Sequence, residues 1–373
     1  MTTVVVGGAL ANKAGSAGEA WVRMSWARGF QQLGLTVRFV EELGGEEADP
    51  TAVRWFTDVT RRFGLDGRAT LLHAGEAIAG PPLAELEELA TGATLVNISG
   101  HLRAPSLMQA FRRRVMVDID PGFTQFWHDE GLAGANVEGH DICFTIGELI
   151  GKPDCSIPTA GIDWHPVRPP VVLDDWPLVE PGGLDRFTTI ATWRGPFGRI
   201  ERDGRSYGLK VHEFRKLIDL PERSTERFEI ALDIHPADAE DLRALRGHGW
   251  QIVDPQSVAG DPDAFRVYVQ GSGAEFSVAQ GVYVDTNSGW FSDRTTRYLA
   301  SGRPALVQDT GFSRILPVGD GLVAFRSLEE AAAGAADIAA RYPDHCEAAR
   351  RMAEEHFDSA RVLARFCEQA GIG

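Results

Sequence analysis

Ser292-Asp-Arg-Thr-Thr-Arg-Tyr-Leu-Ala-Ser-Gly-Arg-Pro-Ala-Leu-Val-Gln-Asp-Thr-Gly311 is the stretch whose reading decides the fold. Ser292 is placed to N-cap a helix over Asp293–Ala300, Ser301-Gly302 ends it, and Pro304 forbids its continuation. A short apolar strand, Ala305–Val307, follows at once and runs into the turn Thr310-Gly311. Upstream, Gly281-Val-Tyr-Val-Asp285 reads as a strand leading into a Gly-Trp-Phe turn. The whole is a strand–loop–helix–strand unit whose loops open on one sheet edge. A helix start carrying Ser292, Asp293, Arg294 and Thr295 is a candidate anion site, because free backbone N–H groups and the helix dipole both favour phosphate.

The same alternation extends in both directions. Toward the N-terminus, Phe187–Thr192, Phe228–Asp233 and Trp250–Val253 read as strands, with helices at Lys210–Ile218, Pro236–His248 and Asp261–Gln270. Between Thr159 and Asp185 the texture changes to a proline-rich connector with Gly182-Gly183 and no period. Before it, strands are expected at Thr3–Val6, Val37–Val40, Ala69–Leu72, Thr94–Ile98, Val115–Ile119, Ile142–Ile146 and Ser156–Pro158, and helices at 19–33, 52–63 and 83–90. Residues 342–370 read as helical. Strands alternating with helices on both sides of a connector imply two doubly wound α/β domains.

A chain of 373 residues exceeds what one core organises, and 43% hydrophobic with 24% charged residues is the profile of a folded globule. The net charge of −16 argues against nucleic acid or an anionic membrane as the main partner. Cys143, Cys155, Cys346 and Cys367 show neither CxxC nor zinc spacing and read as reduced thiols. No apolar run is long enough to cross a membrane and no leader-like segment opens the sequence, so a cytoplasmic protein is expected.

The wording of Leu299-Ala-Ser-Gly-Arg-Pro304, with its strand and Asp309-Thr-Gly311 loop, resembles the donor-binding half of GT-B glycosyltransferases. There a helix ending in Ala-(small)-Gly-(Arg/Cys)-Pro precedes a strand and an Asp-x-Gly-Gly-like loop. The resemblance implies two Rossmann-like domains facing a cleft. The acceptor domain would span 1–165 and the nucleotide-sugar donor domain 166–345, with a C-terminal helix over 346–373 returning to the first domain. It implies a transferase moving a sugar from a nucleotide-diphosphate donor to a small soluble acceptor, with no cofactor, no metal and no stable membrane insertion. A second copy of the chain is a further candidate partner.

The resemblance also assigns residues. Arg194 and Lys210 match, at a longer spacing, an Arg and a Lys that grip the donor pyrophosphate in many retaining GT-B enzymes. The loop opened by Gly7 and Gly8 matches one that touches the diphosphate or the acceptor. One departure stands out: Gly289 and Arg297 occupy the places of the Glu-x7-Glu pair that holds the donor. Glu275 and Asp309 are the candidate substitutes. His101, Asp120 and His128, on strand-end loops of the first half, are the candidate bases for an acceptor hydroxyl.

Rival readings remain. Asp118-x-Asp120 has metal-motif spacing but ends a buried-looking strand, and Glu41-Glu42 stands where a dehydrogenase keeps its ribose-binding acid. A GT-B-like nucleotide-sugar epimerase and a non-catalytic sugar-nucleotide-binding subunit share the expected architecture.

Overall fold

The computed structural model describes residues 2–132, 134–195 and 197–373, and the chain divides into two compact units. The first comprises Met1–Gly151, Pro158–Val172 and Asp358–Gly373; the second comprises Lys152–Ile157 and Leu173–Phe357. Among the described residues no helix is long and apolar enough to cross a membrane.

The first unit is built on strands β1 (Thr3–Gly7), β2 (Thr36–Leu43), β3 (Ala69–His73), β4 (Glu76–Ala79), β5 (Thr94–Ile98), β6 (Arg113–Asp118), β7 (Ile142–Thr145) and β8 (Trp164–Pro166). Their order is β4-β3-β2-β1-β5-β6-β7-β8, parallel except for the β3–β4 hairpin. Val4, Val5 and Val6 are wholly buried, as expected of a central strand covered on both faces. The helix Ser359–Ala370 packs on Ala17–Gln32 through Phe366, which meets Trp26, Phe30 and Phe144 with ring centroids 5.1, 6.0 and 4.4 Å away.

The second unit contains β9 (Phe187–Thr192), a hairpin of β10 (Ile200–Arg202) and β11 (Arg205–Tyr207), β12 (Phe228–Asp233), β13 (Gln251–Val253), β14 (Ala274–Ser277), β15 (Ala305–Gln308) and β16 (Leu322–Phe325). Its main sheet runs β13-β12-β9-β14-β15-β16, all parallel.

Several expectations need correction. Gly281–Asp285 is a short helix, and the strand feeding the diagnostic unit is β14, a few residues earlier. Gly281 is held flush against Gly208: a Cβ there would lie 2.8 Å from the Gly208 backbone, and Val282 N–H donates to Gly208 O at 3.0 Å. A short apolar run carries no period strong enough to separate the two states. Ser156–Pro158 is not a strand; the Ser156 N–H bonds Thr286 O. The terminal helical stretch is two helices, Tyr342–His356 and Ser359–Ala370, because Asp358 caps Ala360 N–H and restarts the chain. The return to the first unit therefore begins at Asp358, not at residue 346.

His345 ties the turn before β16 to the terminal helices. Its buried Nδ1 accepts the Gly321 N–H at 3.0 Å while Nε2 faces Asp337 Oδ2 at 3.3 Å. Burial, aided by the Arg341 charge, lowers its pKa against the pull of Asp337, so the ring is neutral and Nδ1 stays an acceptor. His345→Ala should cost about 1–3 kcal/mol by orphaning the Gly321 N–H. The unfolded chain takes up a proton near pH 6.5 where the native ring does not. The stability gap between wild type and variant should therefore shrink as pH falls below about 6.5, as read by urea melts across pH.

Candidate functional site

In the second sheet β9 lies between β12 and β14, so the chain reverses its winding there. Such a switch point is where doubly wound sheets bind ligands, beyond the carboxyl ends of the strands. The two flanks of β9 differ. It pairs with β12 as far as Thr192, but with β14 only through Phe187 and Thr188. Arg294, from the first turn of the helix Asp293–Ala300, enters the resulting split. Its Nε donates to Glu275 Oε1 at 2.7 Å, Nη1 to Ile190 O at 2.7 Å and Nη2 to Ser277 Oγ at 3.0 Å. The planar fork of a guanidinium suits this three-way bridge, and Lys lacks that geometry.

Lys210 opens the helix Lys210–Arg215 beside this bridge. Its backbone N–H is fixed by Gln280 Oε1 at 2.6 Å, but its half-buried Nζ has no hydrogen-bond or ion-pair partner among the described residues. Burial first, then the Arg294 charge, push its pKa down to about 7 against the attraction of Glu275 and Asp293. Two further atoms nearby, Thr295 Oγ1 and Glu275 Oε2, are buried without a partner among the described residues. Ser292 caps the helix by position, with no side-chain capping bond, and is buried. Lys210, Arg294, Asp293 and Glu275 thus form one group, and Thr295 follows Arg294 in the same helix turn.

The other donor candidates lie elsewhere. Arg194 is half-exposed and gives Nε to Asp238 Oδ2 at 2.8 Å and Nη2 to Asp238 Oδ1. Its charged neighbours are Asp238, Asp241 and Arg215, so it does not converge with Lys210. Pro196, in the same loop, lies outside the described residues. Asp309 organises its own turn: its carboxylate accepts from Gly311 N–H (2.8 Å), Ser313 Oγ (2.6 Å) and Arg326 Nη2 (2.7 Å). Burial opposes its charge, yet these bonds hold it below the usual carboxylate range. Arg297, standing where the second Glu was expected, is buried, ion-paired to Asp293 and 5.9 Å from the Trp176 ring centre. Asp238 and Gln280 were not legible as partners, because both act across long sequence separations.

The first sheet has its own switch point, where β1 lies between β2 and β5. Gly7 ends β1, and a Cβ on Gly8 would lie 2.8 Å from Arg23 Cγ, so the turn needs glycine to admit that side chain. Glu41 accepts N–H groups from Leu10, Ala11 and Asn12 at 2.7–2.8 Å. That occupies the acid a dehydrogenase would use for ribose. Asp118 is equally engaged, by Thr124, Gln125, Thr145 and the Asp120 N–H.

His101 and Asp120 share two cationic neighbours, Arg23 and Lys13. Burial and the charges of Arg23, Lys13 and Arg103 drive His101 down to about 3, leaving it neutral. Burial, Asp118 and Glu19 raise Asp120 to about 7 in spite of Arg23 and Lys13. His128, on the helix Phe123–Asp129, instead lines a cavity of about 670 Å³ with Gly100, Leu102, Arg103, Met108 and His140. Among the described residues no cluster of His, Cys, Asp and Glu is arranged to hold a metal ion.

No protein-family model matches the chain, and no curated protein is significantly similar to it. Solved structures do match. An alpha-glucosyltransferase in complex with UDP and a 13-mer DNA is 11% identical with a TM-score of 0.63, covering 100% of this chain and 99% of that one. Anabaena Alr3699/HepE in complex with UDP-glucose is 10% identical, with a TM-score of 0.62 and complete coverage of both chains. AviGT4, a glycosyltransferase involved in avilamycin A biosynthesis, is 13% identical with a TM-score of 0.60, covering 100% and 97%. The likeness runs through both doubly wound units, and this chain has the GT-B fold of nucleotide-sugar glycosyltransferases.

Proposed function

We propose that this protein is a glycosyltransferase that moves a sugar from a nucleotide-diphosphate donor to a small soluble acceptor in the cytoplasm. The observation that carries the reading is the Lys210 Nζ, without a partner among the described residues, at the switch point of the second sheet, beside Arg294 and the start of the helix Asp293–Ala300. A half-buried amine held near neutrality, next to uncapped helix N–H groups, suits a dianionic diphosphate. UDP and UDP-glucose in the similar structures favour the same donor class. One of those structures also contains DNA, but the charge of −16 here favours a small acceptor.

In this mechanism Lys210 and the helix start stabilise the leaving diphosphate as its charge develops, so no metal is assigned a role. Arg294 positions both by bridging the strands. Asp120, tuned to about 7, is the best-matched of the three base candidates for the acceptor hydroxyl, whereas His101 at about 3 is too weak a base.

Calorimetry with UDP, GDP, dTDP and ADP tests the donor assignment. Diphosphate binding should return Lys210 to the charged state, taking up protons from buffer between about pH 7 and 10. Lys210→Met should abolish that uptake and weaken binding on the order of tenfold or more; unchanged binding would remove Lys210 from the site. Asp120→Asn should lower kcat by about 10²–10⁴ with little change in KM. Wild-type turnover should rise with pH through about 7 as the carboxyl deprotonates, and EDTA should leave it unchanged.

A further inference from the structure

The switch point of the first sheet holds more cationic and donor groups than the chain itself uses. Arg23 is 1% exposed, and its Nη1 pairs with Glu19 while its Nε is buried with no partner among the described residues. Ser99 Oγ and His101 Nδ1, on the turn that follows β5, are buried and partnerless in the same way. Ser99 and Gly100 both take positive φ, 54° and 60°, and that turn carries Ser99 and His101. The ammonium of half-buried Lys13 has no partner among the described residues either. Arg103 uses its backbone N–H on Glu42, and its guanidinium adds a third positive neighbour to His101.

The opposing charges are few. Glu19 is paired to Arg23, Glu41 is occupied by the turn after β1, and Asp118 is enclosed by hydroxyl and amide donors. Glu42 accepts the Arg103 N–H, and the carboxyl of Asp120 is raised to about 7 by burial, Asp118 and Glu19. Buried donors without acceptors are costly, so their clustering beside a cationic pair marks a place that a ligand completes.

We propose that Arg23, Lys13, Ser99 and His101, all of the first unit, form an anion subsite that binds a phosphate or carboxylate. Under the transferase reading, on which this assignment of source rests, the anion belongs to the acceptor. The acceptor is then an anionic hydroxyl compound, such as a sugar phosphate or a hydroxy acid, whose charge is held on Arg23 and Lys13 and whose hydroxyl is activated by Asp120. The same chemistry could instead come from the donor's diphosphate, and the test separates the two.

Inorganic phosphate is the probe, titrated into the full chain while the His101 ring is followed by NMR and affinity by calorimetry. Phosphate should shift the His101 signals, and Lys13→Met should weaken phosphate binding about tenfold. Ser99→Ala, a small change away from the buried Arg23, should weaken it in the same direction. UDP binding should be unaffected by Lys13→Met and weakened by Lys210→Met. The proposal is overturned if His101 ignores phosphate, or if Lys13→Met leaves phosphate affinity unchanged. An equal loss of UDP affinity in Lys13→Met would give the anion to the donor and overturn the acceptor assignment. If phosphate binds through Lys13 while no nucleoside diphosphate binds anywhere, the transferase reading falls and the anion subsite stands.

Discussion

One guanidinium holds the second sheet together at the point where it parts. Beyond Thr188, β9 loses β14 as a neighbour, and a parallel sheet that opens in this way leaves backbone acceptors exposed in its interior. Arg294 closes the opening with three directed bonds, to Glu275, Ile190 and Ser277. Placing it there fixes the start of the helix Asp293–Ala300 over the strand ends, and its charge lowers the affinity of Lys210 for a proton. The opening is thus both the structural weak point of the sheet and the feature that makes a ligand site. Removing one partner from a buried pair of this kind leaves an uncompensated charge, which is more damaging than never having the pair.

The first unit applies the same electrostatics to a different end. Arg23 and Lys13 face a histidine and a carboxyl, and burial moves the two groups in opposite directions. His101 is held neutral and Asp120 is brought near neutrality. Desolvation penalises whichever form is charged, which is the imidazolium for His and the carboxylate for Asp. The helix Ala17–Gln32 delivers Arg23 to this place, and glycine at position 8 leaves room for its stem.

Much of this was legible in the sequence. The Ser-Gly-Arg-Pro stop, the buried apolar strands and the proline-rich connector are local signals, and local signals report backbone geometry directly. They led to two doubly wound units and to a helix starting at Ser292-Asp293, whereas Lys210 entered only through the resemblance. Where the reading failed, the deciding contact was distant. Gly281–Asp285 is a short helix packed against the Gly208 backbone, and Arg194 is turned aside by Asp238, 44 residues further on. The residues 346–356 stay with the second unit because the break falls at Phe357–Asp358, where no proline or glycine announces it.

By itself the sequence determined the alternation of strands and helices, the parallel class of both sheets and the acidic surface. Period, propensity and charge are properties of neighbouring residues and survive without tertiary contacts. Tertiary structure alone decided which side chains were already engaged. Glu41, Asp118, Asp309 and Arg194 look available as written but are occupied by partners in the fold, whereas Lys13, Arg23, Lys210 and Thr295 keep polar atoms without partners among the described residues. A polar group becomes a candidate for binding only when folding buries it and leaves its hydrogen-bonding capacity unmet, and that is settled by elements brought together from far apart in the chain.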